Sequence, residues 1–172
     1  KTIKSINPAT GKELCEVYEA NEEDVDHAVD AAEKAFHGPW SKMSASERSR
    51  LLWKLADLIE ENLEPMAQLE TLDNGKPIRE TRNADVPLVI DHFRYYAGWV
   101  NKFSGEVVNN SMHPNIFTYT RREPIGVCGQ IIPWNFPLLM ASWKLGAALA
   151  TGNVVILKSA EDTPLSALFL AE

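Results

Sequence analysis

Cysteine is scarce in this sequence, and the clusters that hold metals are missing. The 172 residues include two cysteines, Cys15 and Cys128, with no CxxC pair and no cysteine and histidine cluster. This usage disfavours a disulfide scaffold or a zinc site and favours a reducing compartment, so we expect a cytoplasmic or mitochondrial location. The histidines show no ligand spacing, and we expect no metal site. They are His27, His37, His92 and His113.

Long apolar runs, excess positive charge and phosphate-binding loops are also missing. No apolar run approaches the roughly 20 residues that cross a bilayer, so we expect no membrane partner. The formal net charge is -7, and a negative surface repels phosphate backbones, which argues against nucleic acid. Neither GxGxxG nor GxxxxGK[ST] occurs, which excludes the standard phosphate loops. A hydrophobic share of 45% is ordinary for a domain with a buried core.

The first 105 residues are predicted to be mostly helical after an opening hairpin. Turn-forming residues 7–12 lie between two short β-like runs and predict that hairpin. Asn21 is a good helix N-cap, and Ser44 with Glu47 forms a capping box at the start of a second helix. Apolar residues at helical spacing predict one apolar face on the first helix. They are Val25, Ala28, Val29, Ala32 and Phe36.

Two further helices are expected in this half. One should run from about Pro65 to a stop at Asn74-Gly75, a common C-terminal pattern. The next should run from about Asn83 to Ala97, with Pro87 near its first turn because proline is tolerated there.

The pattern changes after Gly105 to alternating strands and helices. Residues 116–120 and 127–132 have strand character, a helix is predicted from Pro137 to Gly152-Asn153, and 154–157 is apolar on both faces. This βαβ order predicts an α/β fold with an open, mostly parallel, Rossmann-like sheet, preceded by the helical N-terminal region. Thr163 is expected to N-cap a last helix. Because the sequence runs from Lys1 to Glu172, inside that helical pattern, we expect an incomplete domain.

The segment after the first parallel strand carries the clearest chemical pattern. In open α/β sheets ligands bind beyond the carboxyl ends of strands, which is where Pro133-Trp134-Asn135 falls. Asn135 offers amide N–H donors that can stabilise an oxyanion. Spacing alone leaves a second interpretation open, in which Asn135 only caps the next helix.

Lys158 and Glu161 follow the second parallel strand at the same expected edge. Glu161 can accept a hydrogen bond from a ribose hydroxyl, and Lys158 can donate one. The alternative is a surface ion pair of little energetic value.

Six motifs occur in an order that resembles the aldehyde dehydrogenase superfamily, especially its tetrameric cytosolic and mitochondrial types, retinal dehydrogenases included. They extend over essentially the whole chain. They are Asn7–Gly11, Leu72–Pro77, Tyr95–Gly98, Pro133–Pro137, Ala150–Val154 and Lys158–Glu161.

The resemblance implies a mechanism and a division of the chain. In that family a cysteine thiolate attacks the aldehyde, an asparagine matching Asn135 holds the oxyanion, hydride passes to NAD, and a glutamate activates the water that releases the acid. The positions of the nucleophile and the base lie beyond Glu172, and neither Cys15 nor Cys128 matches. Residues 1–105 and 125–172 would belong to the NAD-binding domain, and 106–124 to an oligomerisation element.

The same resemblance assigns ligand-contacting residues. A carboxylate at Glu161 would repel a 2′-phosphate, so NAD is expected rather than NADP. The cofactor-binding positions are Ile131, Ile132, Pro133, Trp134, Asn135, Lys158, Ser159, Ala160 and Glu161. The aldehyde-facing positions, which also fit a plain helix core, are Phe136, Leu139, Met140 and Trp143.

We therefore predict part of an NAD-dependent aldehyde dehydrogenase, whose partners are NAD, a small aldehyde and further copies of itself as a dimer of dimers. The alternative is a non-catalytic binding or assembly module of the same fold. A lens-type structural protein recruited from the family is a third reading.

Overall fold

The computed structural model describes all residues, 1–172. None of its helices has both the length and the apolar character needed to cross a membrane. The elements in chain order are β1 (Thr2–Asn7), β2 (Lys12–Tyr18), α1 (Glu22–Ala35), α2 (Ala45–Glu61), α3 (Leu63–Asn74), α4 (Ile78–Glu80), α5 (Val86–Ala97), β3 (Val107–Val108), β4 (Thr118–Tyr119), β5 (Val127–Ile131), α6 (Pro137–Ala150), β6 (Val154–Lys158) and α7 (Leu165–Ala171).

Local sequence signals place the hairpin and the helix ends of the first half as predicted. Strands β1 and β2 pair antiparallel. Asn21 caps α1 in a capping box with Asp24, and Ser44 caps α2 in one with Glu47. Helix α3 ends at Gly75, whose φ of 83° lies in the left-handed region that glycine adopts without strain. These ends are decided by hydrogen bonds between near neighbours, which explains why they were predictable.

The apolar face predicted for α1 is mostly exposed. Only Ala32 is buried, while Val25 and Val29 remain exposed. Helix α1 packs against β5 and β6, and a sheet of two strands is too narrow to cover the whole face. Helix α1 forms as predicted, and the two strands leave most of its apolar face uncovered.

The helix predicted from about Asn83 begins earlier. A short helix, α4, leads into a π-helical turn over Thr81–Asp85, and α5 follows directly. The backbone N–H of Val86 donates to the carbonyl of Thr81. The wide turn ends just before Pro87, which occupies the first turn of α5. The proline, which has no N–H, therefore sits where no regular helical bond is required of it.

The main core is formed where α2, α3, α5 and α6 pack together. Its largest fully buried apolar side chains are Phe93 and Leu138. Helix α6 lies across α5, so the helical first half of the chain directly supports the start of the βαβ unit. The buried residues of this core are Leu52, Ala56, Ile59, Met66, Ala67, Val86, Val89, Ile90, Phe93, Ala97, Val100, Leu138, Leu139 and Ala150.

The second half contains the predicted parallel βαβ unit. Strands β5 and β6 pair in parallel through the crossover helix α6, and both α1 and α6 pack against β6. The α/β fold class is thereby confirmed. The strand predicted over 116–120 is shorter than expected, because only Thr118 and Tyr119 pair, with Val107 and Val108 of β3.

Candidate active site

The predicted functional segments leave the sheet side by side. In the parallel register, Ile131 at the end of β5 lies opposite Lys158 at the end of β6. One more backbone bond, from Ile132 N–H to the carbonyl of Lys158 at 3.1 Å, extends the pairing past β5. The two predicted segments, 131–136 and 158–161, therefore begin at one carboxyl edge.

The residues that follow β5 differ in how they face this edge. Ile131, Pro133 and Trp134 are exposed. Ile132 is buried and packs with Ala141 and Ala167, so its side chain supports the segment from inside and offers no surface to a ligand. We had expected the Ile132 side chain to line the cofactor site. The structure corrects this, because the side chain is buried.

Asn135 does not act as a helix cap. Helix α6 begins at Pro137, its N-cap position is Phe136, and no side chain caps it. Asn135 is exposed and its side chain makes no hydrogen bond within the chain. The helix-cap interpretation is therefore wrong, and the amide donors of Asn135 are free at the edge where a ligand would bind.

The backbone next to Asn135 is held by side chains from distant parts of the chain. The Nδ2 amide of Asn74 donates to the carbonyl of Trp134 at 2.6 Å. The hydroxyl of Thr163 donates to the same carbonyl at 3.3 Å. The predicted role of Thr163 as a helix N-cap is therefore wrong. The first N–H of α7, at Leu165, donates instead to Asp73 at 2.8 Å.

Ionisable side chains from α3 and the following loop contact the start of α6. Glu70 accepts from the N–H of Leu138 at 3.3 Å, and burial raises the pKa of the Glu70 carboxyl. Lys76 pairs with Asp85 at 2.5 Å. Its ammonium also lies 3.5 Å from the ring centre of Phe136, a cation–π contact. Sequence reasoning missed Glu70 and Lys76 as residues that contact the start of α6, although Glu70 lies in α3 and Lys76 lies in the Leu72–Pro77 motif.

Two of the six motifs, Asn7–Gly11 and Leu72–Pro77, contact each other in the folded chain. A Cβ at Gly75 would lie 2.6 Å from Cγ of Pro8 in the hairpin turn. The Ser5 hydroxyl donates to Asp73 at 2.7 Å, and both residues are buried. The hairpin therefore packs on the end of α3, and the end of α3 in turn contacts the segment that carries Asn135.

The only side-chain hydrogen bond of residues 158–161 is the ion pair formed within that segment. Lys158 and Glu161 form a salt bridge three residues apart, with side chains 52% and 69% exposed. The hydrogen bond from Lys158 lowers the pKa of Glu161. Ser159 and Ala160, between them, are half-buried. Without a ligand the pair is the surface ion pair of the alternative interpretation, and both groups are accessible for a ribose.

The predicted aldehyde-facing stripe divides into core and surface. Leu139 is 5% exposed and belongs to the main core, so the core interpretation holds for it. Met140 is half-buried. Phe136 and Trp143 are exposed, by 37% and 52%. The exposed members form the surface on which a substrate wall is expected.

Neither cysteine belongs to the segments 131–136 and 158–161 that form this edge. Cys15 is exposed in the hairpin and Cys128 is half-buried, and both thiols are free. Cys128 lies three residues before Ile131, roughly 10 Å back along the strand. No group of three or more histidine, cysteine, aspartate or glutamate side chains is arranged to hold a metal ion.

Known proteins resemble this chain along its whole length. The model of the aldehyde dehydrogenase family matches residues 1–172. DhaS of Bacillus subtilis (strain 168) is 62% identical over 172 residues, which are 99% of this chain and 34% of that protein. The mitochondrial aldehyde dehydrogenase of Rattus norvegicus is 56% identical over 173 residues, 99% of this chain and 33% of its own length. The chain thus spans about a third of the length of the curated relatives it matches.

Solved structures agree as well. An aldehyde dehydrogenase from Bacillus cereus in complex with NAD+ superposes with a TM-score of 0.96 at 54% identity, over 99% of this chain and 35% of that one. The resemblance drawn from six motifs is confirmed: the chain belongs to the aldehyde dehydrogenase family.

Proposed function

We propose that this chain forms part of an NAD-dependent aldehyde dehydrogenase and supplies its oxyanion donor and one side of its cofactor site. The observation that carries the proposal is the free amide of Asn135, exposed at the carboxyl edge of two parallel strands. A preorganised donor of this kind stabilises a developing negative charge because it needs no reorganisation during the reaction.

The overall reaction consumes an aldehyde, NAD+ and water and yields a carboxylate, NADH and two protons. A cysteine thiolate adds to the aldehyde carbon. The aldehyde oxygen thereby gains negative charge, which Asn135 stabilises through its Nδ2 donor. NAD, when bound, accepts the hydride. A glutamate then activates water to release the acid from the thioester. We assign the thiolate and the glutamate to the part of the protein that follows this chain.

Residues at the same edge of the sheet suit the binding of a dinucleotide. The exposed pair of Lys158 and Glu161 offers a donor and an acceptor to a ribose, and Glu161 disfavours a 2′-phosphate by charge repulsion. Ile131, Pro133 and Trp134 provide the adjacent apolar surface. We assign residues 1–105 and 125–172 to the NAD-binding domain on this basis.

The exposed ends of the α6 stripe are proposed to face the aldehyde. Phe136, which follows Asn135, and Trp143, further along α6, present exposed aromatic surface, and Met140 between them in sequence is half-buried. Leu139 contributes from the core side by fixing the helix.

The test is turnover in the full-length protein, followed as NADH absorbance with acetaldehyde. Asn135→Ala should lower kcat by about two orders of magnitude or more, on the precedent of other oxyanion donors. The melting temperature should not change, because the Asn135 side chain bonds to nothing in the chain. Asn101→Ala, another exposed asparagine without a side-chain hydrogen bond, is the matched control and should retain activity.

Near-normal turnover of Asn135→Ala would contradict its role as oxyanion donor. A full-length protein that oxidises no aldehyde would favour the non-catalytic module. The 172-residue chain by itself should form no NADH, since neither of its cysteines lies at the proposed site.

We also propose that residues 106–124 form an assembly element. The β3–β4 hairpin exposes apolar side chains on both strands, including Val107 at 67% and Phe117 beside β4 at 73%. Exposed apolar strand surface of this kind favours pairing with another chain. Deleting 106–124 from the full-length protein should therefore give a smaller oligomer by light scattering. An unchanged mass would refute this role.

A further inference from the structure

The carbonyl of Trp134 determines how Asn135 is presented. This oxygen belongs to the peptide group that joins Trp134 to Asn135. Because a peptide group is planar, fixing its oxygen also fixes the orientation of the Asn135 N–H and restricts the backbone rotation that aims the Asn135 side chain. Residues 132–136 lie outside helix and strand, so no regular hydrogen-bond ladder does this.

Asn74 supplies the shorter of two bonds to that oxygen. Its Nδ2 lies 2.6 Å from the Trp134 carbonyl, compared with 3.3 Å for the Thr163 hydroxyl. The two residues are 60 positions apart in sequence, so the contact exists only in the folded protein.

Asn74 is itself fixed by its surroundings. It is the last residue of α3 and is followed by the left-handed Gly75, which packs closely on Pro8. Its neighbour Asp73 is buried and bonds both to Ser5 and to the N–H of Leu165. The asparagine amide is therefore presented from a rigid helix end, which a positioning group requires.

We propose that Asn74 is a positioning residue for catalysis: its amide fixes the Trp134–Asn135 peptide group and thereby aims the oxyanion donor. This inference rests on the proposed function of Asn135. Asn74 does not contact the reacting atoms; it acts through one backbone oxygen. Misplacement of a catalytic group by about 1 Å can cost up to 100-fold in rate, so loss of one of two bonds should cost about tenfold.

The experiment compares three variants of the full-length protein with acetaldehyde and NAD. Asn74→Ala removes the donor, and Asn74→Asp keeps the shape but replaces the amide by an acceptor. The matched control is Asn62→Ala, since Asn62 is half-buried at the other end of α3 and donates to a backbone carbonyl, that of Leu58, at 2.8 Å. The two asparagines are about 18 Å apart along the helix.

We expect kcat to fall about tenfold in both Asn74 variants, while KM for NAD and kcat of Asn62→Ala change less than twofold. The decisive measurement is the double variant with Asn135→Ala. If Asn74 acts through Asn135, its removal adds little once Asn135 is absent, because residues that act as a unit are not additive.

Other outcomes separate the hypotheses. Additive losses, or equal losses in Asn74→Ala and Asn62→Ala with lowered melting temperatures, would overturn the positioning role and leave a structural one. Normal kcat in Asn74→Ala together with a large loss in Asn135→Ala would overturn only this inference. Normal kcat in Asn135→Ala would overturn the proposed function itself.

Discussion

Two segments leave the same edge of the parallel strands, yet the protein holds them very differently. The segment after β5 and the start of α6 are tied to α3 and to Thr163, in the loop before α7, by bonds to the Trp134 carbonyl and to the Leu138 N–H. The side chains of residues 158–161, directly after β6, form one exposed ion pair between near neighbours and no other hydrogen bond. Equal position in the sheet therefore does not imply equal rigidity.

The difference matches what each segment is proposed to do. An oxyanion donor must be aimed before the reaction, because its benefit depends on fixed geometry. A pair that contacts a ribose can exchange its mutual bond for bonds to the ligand, and an exposed ion pair gives up little stability when it does so. Buried long-range contacts suit the first task and a short exposed pair suits the second.

The largest effect should come from removing Glu70, which bonds to the start of α6, compared with removing Glu161 in the segment after β6. Glu70→Ala leaves the buried Leu138 N–H without its acceptor and opens a cavity, so the 172-residue chain should lose about 1–3 kcal/mol of unfolding free energy in urea. Glu161→Ala removes only an exposed partner and should leave the urea midpoint unchanged. Equal losses in the two variants would contradict the contrast between the segments.

Glu70→Gln is the control, because it keeps an acceptor for Leu138 without a titrating group. Burial raises the pKa of Glu70, so the folded state binds this proton more tightly than the unfolded state. The stability that protonated Glu70 contributes is fully present below the ordinary glutamate pKa of about 4.3, and it is lost as the pH rises through the raised pKa. The wild type should therefore lose stability relative to Glu70→Gln as pH increases from 4 to 8. A constant difference would mean that Glu70 does not titrate in this range.

A smaller effect is expected from Glu161 on cofactor choice. Glu161→Ser in the full-length protein removes the charge that opposes a 2′-phosphate, so the ratio of kcat/KM for NADP to that for NAD should rise about tenfold. Turnover with saturating NAD should change less than in Asn135→Ala. A parent that already prefers NADP would contradict the assignment of Glu161.

Short-range patterns carried much of the fold prediction. The hairpin turn, the caps at Asn21 and Ser44, the stop at Gly75 and the strand β6 all follow from neighbours within a few residues. The misplaced features depended on more distant partners. Thr163 resembled an N-cap, but it donates to Trp134, 29 positions away, and Asp73 takes over the bond at Leu165 from 92 positions away.

The candidate site shows the same division. The sequence by itself determined the βαβ order, the place of Asn135 and of Lys158 with Glu161 at strand ends, and, through six motifs, the family. It did not reveal that Asn74, Glu70 and Lys76 meet the segment that carries Asn135. Only the tertiary structure decided that. The identity of a polar residue does not show whether its side chain faces water or bonds to a distant backbone group. The partner is set by packing of α3 against the start of α6, over separations of 60 to 68 residues.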